Sequence, residues 1–440
     1  MPDTPQTTYT DSLNQDPVDY STQLQQTQPD YVVYIPNHHT DISDTGNEHF
    51  LVFDGPDNRL MAVWTQSTRE CNLPEYDPDQ HIAFATSDDE GKSWSQPRIL
   101  AGPAKPGDEL MASWAFPMVS RSGRIYVLYN QHIGKYDTYF HHAGYLDGIY
   151  SDDAGATWSK PQRIELARSI YDNPDTSIPQ EIIVWQRPDR LTSDGKYLVG
   201  LTRWVSKEVR YPPPINSWIA VESVVEFLRF DNLDDDPEPG DLKVTHTAKD
   251  KDAVRSPYPG HPDLSVTQEP SLVKLPDGRL LCVMRTSAGS PYWTVSADDG
   301  VTWSPTQVLR EHDGGEPLKH PLSPCPIYDL GGVAAGSGTY MLLIHNHDGH
   351  QGKWKPTDTS HHRRPIYKVI GRFDPDATNQ PIRFDPPEVF MDHDGVALGP
   401  ESNPRTDLAM YASSTVRNGQ PVLWYPDRKY FLLGRKITRS

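Results

Sequence analysis

The stretch SADDGVTW at residues 296–303 has two earlier counterparts in the chain, SDDEGKSW at 87–94 and SDDAGATW at 151–158. All three fit Ser-x-Asp-x-Gly-x-Thr/Ser-Trp. Each follows an apolar or alternating run (HIAFAT, LDGIY, YWTV) and precedes a second short run (PRIL, PQRIEL, TQVL). An Asp side chain caps the backbone N–H groups of a tight turn, Gly takes the positive φ, and Trp covers the hairpin with apolar area. The repeat therefore marks hairpin turns at equivalent places in a repeated β unit.

Working outward, the 440 residues include 30 Gly and 42 Pro spread between short β-rich runs, and stretches with helical periodicity are absent, which predicts an all-β chain. Three boxed hairpins in register are the mark of the Asp box. Over residues 31–437 the chain resembles the sialidase-like β-propellers, whose blades are four-stranded meanders with the box between the third and fourth strands. The interval between the second and third boxes is more than twice that between the first two, so one blade without a box fits between them. Six blades are expected, with seven as the alternative. The sixth segment offers only DLAMYAS, PVLWY and YFLLGRKI, so YVVYIP at 31–36 is expected to supply its fourth strand and close the ring. This gives a polar N-terminal arm, 1–30, disordered or wrapped on the surface, and a single propeller domain, 31–440.

The net charge of −19 and the scarcity of clustered Lys/Arg argue against nucleic acid or an anionic membrane surface as partner. No apolar run approaches the roughly 20 residues of a membrane span. The N-terminus lacks the basic start and apolar core of a signal peptide, so a cytoplasmic protein is the literal reading and a processed exported form the alternative. Cys71, Cys282 and Cys325 fit neither a disulfide framework nor a zinc knuckle.

Because strands alternate direction, the loops after second and fourth strands share one face, and these are the long polar loops. Of the 17 histidines, all but His81 fall in or beside them, which predicts a His-rich cleft over the ring axis. In blade two, His132, Tyr139 and His142 are acid/base types near the axis. In blade five, His345, His347 and His350 are candidate ligands for a divalent metal, zinc or calcium, although no cofactor is required. Arg203, Arg285 and Arg405 sit where a carboxylate would be clamped, Arg offering a fixed bidentate fork.

The resemblance to sialidases is closest at Glu269-Pro270 followed by SLVKLPDGRLLCVMRT. It implies that Glu269 activates a tyrosine nucleophile, for which Tyr411 is the nearest counterpart, and that Arg285 holds a sugar carboxylate. It also implies an acid/base carboxylate in the blade-one loop, with Glu70, Glu75, Asp77 and Asp79 as candidates. Where sialidases open with Arg-Ile-Pro, this chain has Tyr34-Ile35-Pro36 followed by Asn37, His38 and His39. His- and Tyr-rich loops with arginines also resemble the propeller polysaccharide lyases, such as the ulvan lyases. That likeness implies β-elimination on a uronate chain, with Arg203 neutralising the carboxylate and His132, His142 and Tyr139 moving protons. His38, His39 and Trp204 are further substrate contacts. The expected partner is an acidic oligo- or polysaccharide, cleaved by a lyase as the favoured reading, by a divergent sialidase-like hydrolase as the alternative, or simply bound by a non-catalytic propeller as the third.

Overall fold

The computed structural model describes residues 20–36, 42–70, 79–105, 107–137, 142–210, 221–332, 335–399, 405–408 and 411–438. Six antiparallel sheets form the blades of a β-propeller, five of four strands and one, in blade five, that adds Glu388–Met391 as a fifth. Their innermost strands are Ile42–Asp54, Ala112–Val119, Ile182–Ile183, Thr267–Lys274, Ile327–Asp329 and Ser413–Arg417. The second strand of a blade is covered on both faces by its neighbours, so it reads as an unbroken apolar run rather than an alternating one. Leu280–Thr286, for example, is buried at every position.

The ring closes as the sequence suggests. Tyr31–Tyr34 pairs antiparallel with Phe431–Lys436 as the outermost strand of the last blade, Tyr31 opposite Gly434 and Val32 opposite Leu433. Tyr34-Ile35-Pro36 therefore does not open blade one, whose inner strand begins only at Ile42. Within the arm expected to be disordered or surface-wrapped, Tyr20–Gln25 forms a short helix that packs on the ring: Leu24 is buried beside Phe390, and Thr27 Oγ1 lies 2.8 Å from Tyr425 Oη. No helix among the described residues is long and apolar enough to cross a membrane.

Each Asp box has the geometry that its residue types dictate. In blade four, Asp298 accepts from Thr302 N at 2.8 Å and Thr302 Oγ1 at 2.6 Å, while Ser296 Oγ accepts from Gly300 N at 2.9 Å. Asp89 and Asp153 make the same bonds in blades one and two. The box also locks each blade onto the one before it. Trp303 stacks on Phe227 at 4.1 Å, Trp158 meets Phe84 at 5.3 Å, and Trp94 meets Trp424 at 5.7 Å. The box glycines lie hard against the preceding blade too: a Cβ on Gly155 would stand 2.7 Å from Phe84, one on Gly91 2.5 Å from Trp424 and one on Gly300 2.8 Å from Leu198.

Gly155→Ala therefore has two costs, a left-handed φ of 81° and a clash with a buried ring. Gly278→Ala, at φ 89° with nothing within 4 Å, has only the first. Thermal or denaturant unfolding is expected to show a loss of about 2–4 kcal/mol for Gly155→Ala and about 1 kcal/mol for Gly278→Ala. Equal losses would refute the interlock.

The boxes also fix an acid limit. The Ser93 hydroxyl and N–H hold the Asp89 carboxyl down at about 2, and those of Thr157 do the same for Asp153. Folded values below the unfolded carboxylate range of about 4 mean stabilisation that is complete above that range and lost as pH falls toward 2. Unfolding midpoints measured across that window are expected to fall less steeply in Asp153→Asn than in the wild type.

Candidate active site

The loops that follow the second and fourth strands surround one end of the axis, and there three inner strands share one irregularity. Glu269, Trp114 and His49 each have a left-handed φ, 53°, 55° and 54°. Each sits in a bulge: between Gln268 and Ser271, between Ser113 and Phe116, and between Glu48 and Leu51. The strained residue is pinned from the preceding blade, Glu269 N donating to Thr202 Oγ1 at 2.8 Å and Trp114 N to Thr65 Oγ1 at 2.9 Å. Bulges re-aim side chains, and here they bring a carboxylate, an indole and an imidazole to the ring centre.

There Glu269 meets Tyr411 from the last blade and Arg285 from the second strand of its own blade. Tyr411 Oη donates to Glu269 Oε1 at 3.1 Å, and Arg285 Nη1 donates to the same oxygen at 2.5 Å. Trp185 stacks on Tyr411 with centroids 4.9 Å apart, and Trp114 and Trp204 pack around Trp185 at 6.2 and 6.3 Å. Burial pushes the Tyr411 phenol above its usual range, the Glu269 carboxylate adds to this, and Arg285 and Arg363 oppose it. For Arg285, burial works against the charge, but Glu269 and Tyr411 more than restore it.

Arg363, which sequence reasoning missed, joins this group. It is buried and donates through Nε and Nη2 to the Leu322 carbonyl at 3.2 and 2.8 Å, with no carboxylate ion pair among the described residues. Burial weakens its hold on the proton, and nearby Arg285 weakens it further. Three more buried atoms here, Glu269 Oε2, Arg285 Nε and Asp407 Oδ1, lack a hydrogen-bond partner. Such atoms are what a polar ligand or water would satisfy.

The other sequence-predicted residues are dispersed. Arg203 is fully buried on the body of blade three, its Nε 2.8 Å from Glu226 and its Nη1 paired with Asp172, and His246 also bonds Glu226 at 2.7 Å. Its fork is committed to protein carboxylates, which leaves none for a substrate. His132 is buried with Nε2 2.6 Å from Ser113 Oγ and its ring 5.6 Å from Trp114. Arg405 pairs its backbone with Leu398 and acts electrostatically on Glu48 and Asp407. Asp79 accepts from Gly107 N at 2.5 Å. His38, His39, Tyr139, Glu75, Asp77 and the side chains of His142 and Glu70 lie outside the described residues.

The described histidines do not assemble into the expected cleft or metal site. His345 bonds Ser323 Oγ at 3.0 Å and the Pro365 carbonyl at 2.9 Å, and His347 bonds the His362 carbonyl at 2.8 Å and accepts from Gly349 N at 3.1 Å. His350 is exposed beside Asp348. With both nitrogens of His345 and His347 occupied, no lone pair is left to share an ion, and no group of three or more metal-ligating side chains forms among the described residues. Burial drives His49, His81 and His362 down to about 4 and His320 to about 3, so these rings stay neutral near pH 7.

The fold and its Asp boxes define a sialidase-superfamily propeller. The chain belongs to the BNR repeat-like domain family, whose model matches residues 58–415. A comparison with curated proteins gives no sequence match. Among solved structures, the chain is similar to the Hadza microbial sialidase at TM-score 0.58 and 14% identity, over 89% of this chain and 66% of that one, so it spans just under two thirds of that protein. A protein of unknown function from Dyadobacter fermentans gives TM-score 0.58 and 14% identity over 93% of this chain and 97% of that one. The NanB sialidase from Streptococcus pneumoniae gives TM-score 0.58 and 11% identity, over 92% and 69%. At these identities the likeness is one of fold.

Arg203→Met separates structure from site. Leaving Asp172 and Glu226 buried without their cation is expected to cost about 3–5 kcal/mol in denaturant unfolding. Binding of an acidic sugar by the surviving folded fraction, followed by tryptophan fluorescence, is expected to stay within about twofold of wild type.

Proposed function

We propose that the chain is a glycan-active enzyme that cleaves or transfers a carboxylate-bearing sugar through a tyrosine nucleophile. The observation that carries this reading is the Tyr411 phenol donating at 3.1 Å to Glu269 Oε1, with Arg285 on the same oxygen. A phenol in a buried site is a poor nucleophile until a base takes its proton, and Glu269 stands in line to do so. Tyr411 Oη then attacks the anomeric carbon as the bond to the leaving oxygen breaks, with a proton supplied to that oxygen by an acid of the blade-one loop. Water releases the sugar from Tyr411 in the second step, so the anomeric configuration is retained.

Arg363 supports the choice of substrate. A buried cation without a carboxylate partner is costly, and a sugar carboxylate would offset that cost. The similarity in fold to sialidases agrees with a glycan substrate. Elimination has less support, since Arg203 has no free face and His132 is buried against Ser113 and Trp114.

The test incubates the protein with aryl sialosides and with uronate polysaccharides, following reducing ends and the ultraviolet absorbance of unsaturated products together. Reducing sugar without that absorbance is expected, with a retained anomer by NMR. Tyr411→Phe and Glu269→Gln are each expected to lower kcat by about 10²–10⁴-fold. Unsaturated product that persists in Tyr411→Phe would establish elimination instead, and binding without turnover in either assay would leave a lectin-like propeller.

A further inference from the structure

The turn between the second and third strands of the last blade has a conformation that its residues do not favour. Arg428 and Lys429 both have left-handed backbones, φ 54° and 51°, with Tyr430 N closing onto the Asp427 carbonyl at 2.9 Å. Two successive positive φ values are ordinarily supplied by Asn-Gly, and two long side chains there carry strain. Strain of this kind persists only where the surroundings enforce it, and it points to a functional demand.

The surroundings are visible on both sides of the turn. Arg428 is fully buried, paired with Asp427 at 2.8 Å, and donates to Gln23 O and Oε1 of the N-terminal helix at 3.0 Å each. Lys429 O accepts from Asn47 N at 2.7 Å, which docks the turn on the inner strand of blade one. Lys429 Nζ is thereby delivered to the axis, ion-paired with Glu48 and 4.9 Å from the centroid of the Tyr411 ring. No part of the cleavage scheme above uses this ammonium.

We propose that Lys429 is a positioning residue for the tyrosine: its ammonium, fixed over the ring by Glu48, stabilises the phenolate as the proton passes to Glu269. A cation on an aromatic face is attracted by the ring's negative quadrupole, and more strongly once the ring carries charge in a dry site. The charged groups facing Tyr411 are Glu269, Arg285, Arg363, Glu48 and Lys429. Of the cations, Arg285 bonds Glu269 and acts on the Tyr411 oxygen at the edge of the ring, and Arg363 is left for the substrate, so that Lys429 is the cation over the ring face. The inference rests on the tyrosine-nucleophile reading for its consequence in catalysis, but its physical content, coupling between Lys429 and the Tyr411 phenol, stands apart from turnover.

The test has one arm for each. Difluorotyrosine placed at position 411 brings the phenol into an accessible range, and its fluorine NMR signal reports ionisation directly. In Lys429→Met the midpoint is expected to rise by about one pH unit, in Lys429→Arg to stay near the wild-type value, and in Glu48→Gln to fall. An unmoved midpoint in Lys429→Met, with the circular dichroism spectrum intact, overturns the proposal whether or not the protein turns over a glycan. In the kinetic arm, Lys429→Met is expected to lower kcat about tenfold on an aryl sialoside with KM within about twofold, and Lys429→Arg to restore kcat. A rise in KM at unchanged kcat would assign the ammonium to the substrate instead and also overturn it. A shifted midpoint in a protein inactive on every glycan would support the coupling while refuting the tyrosine-nucleophile reading.

Discussion

The propeller depends on blades gripping their neighbours face to face, since among the described residues no ladder of paired strands runs from one blade to the next. The Asp box supplies that grip three times. A glycine bare of a side chain lets the turn close to contact, and a tryptophan three residues further on fills the remaining gap against Trp424, Phe84 or Phe227. The capping bonds of Asp89, Asp153 and Asp298 keep each turn in the one shape that lets both contacts happen together. The last blade then borrows its outer strand from the chain start, so that the seam is held by backbone pairing as well as by packing.

With the ring held rigidly, the inner strands can afford irregularity at one end. The bulges at His49, Trp114 and Glu269 recur in three blades at the same height, each with a left-handed residue that a regular ladder would exclude. Threonines of the preceding blades bond the displaced N–H groups of Trp114 and Glu269, so that strain local to the axis is balanced by order one blade away. The site thus inherits its precision from the interlocked periphery. Tyr411 reaches it from the loop before the last inner strand, and Arg285 from the second strand of blade four.

The fold was legible because its signals are local and repeated: three boxes, turn words such as PDGR, and β-rich runs between them. Glu269 and Arg285 were legible through the words around them, and Tyr411 as the nearest counterpart. Arg203 misled because position at a strand end says nothing of what waits across the sheet, and Asp172 and Glu226 are distant in sequence. The histidines misled for a related reason. Polar loops packed over a ring have buried carbonyls and hydroxyls to satisfy, and a neutral imidazole offers one donor and one acceptor for the purpose, as His345 does between Ser323 and Pro365. Arg363 was hidden in the dense run HHRRP, where only its lack of a direct carboxylate ion pair among the described residues sets it apart. Lys429 was hidden because nothing in a sequence marks a lysine forced into a left-handed turn.

On the proposed function, a chain of net charge −19 has to accept an anion, and the electrostatics of the centre allow it. Most of the acidic excess lies on exposed surfaces, where water and salt screen it within about 10 Å. At the axis the charges are buried and mostly matched, Glu269 with Arg285 and Glu48 with Lys429. Asp407 is kept ionised against burial by Arg405, Lys429 and Arg363. Arg363 shares that field without a direct ion pair to any carboxylate among the described residues, and it is buried enough that one added negative charge would be felt at full strength. On the proposed function, selection of a singly charged sugar over a neutral one needs no basic surface, only one cation held where solvent cannot answer it.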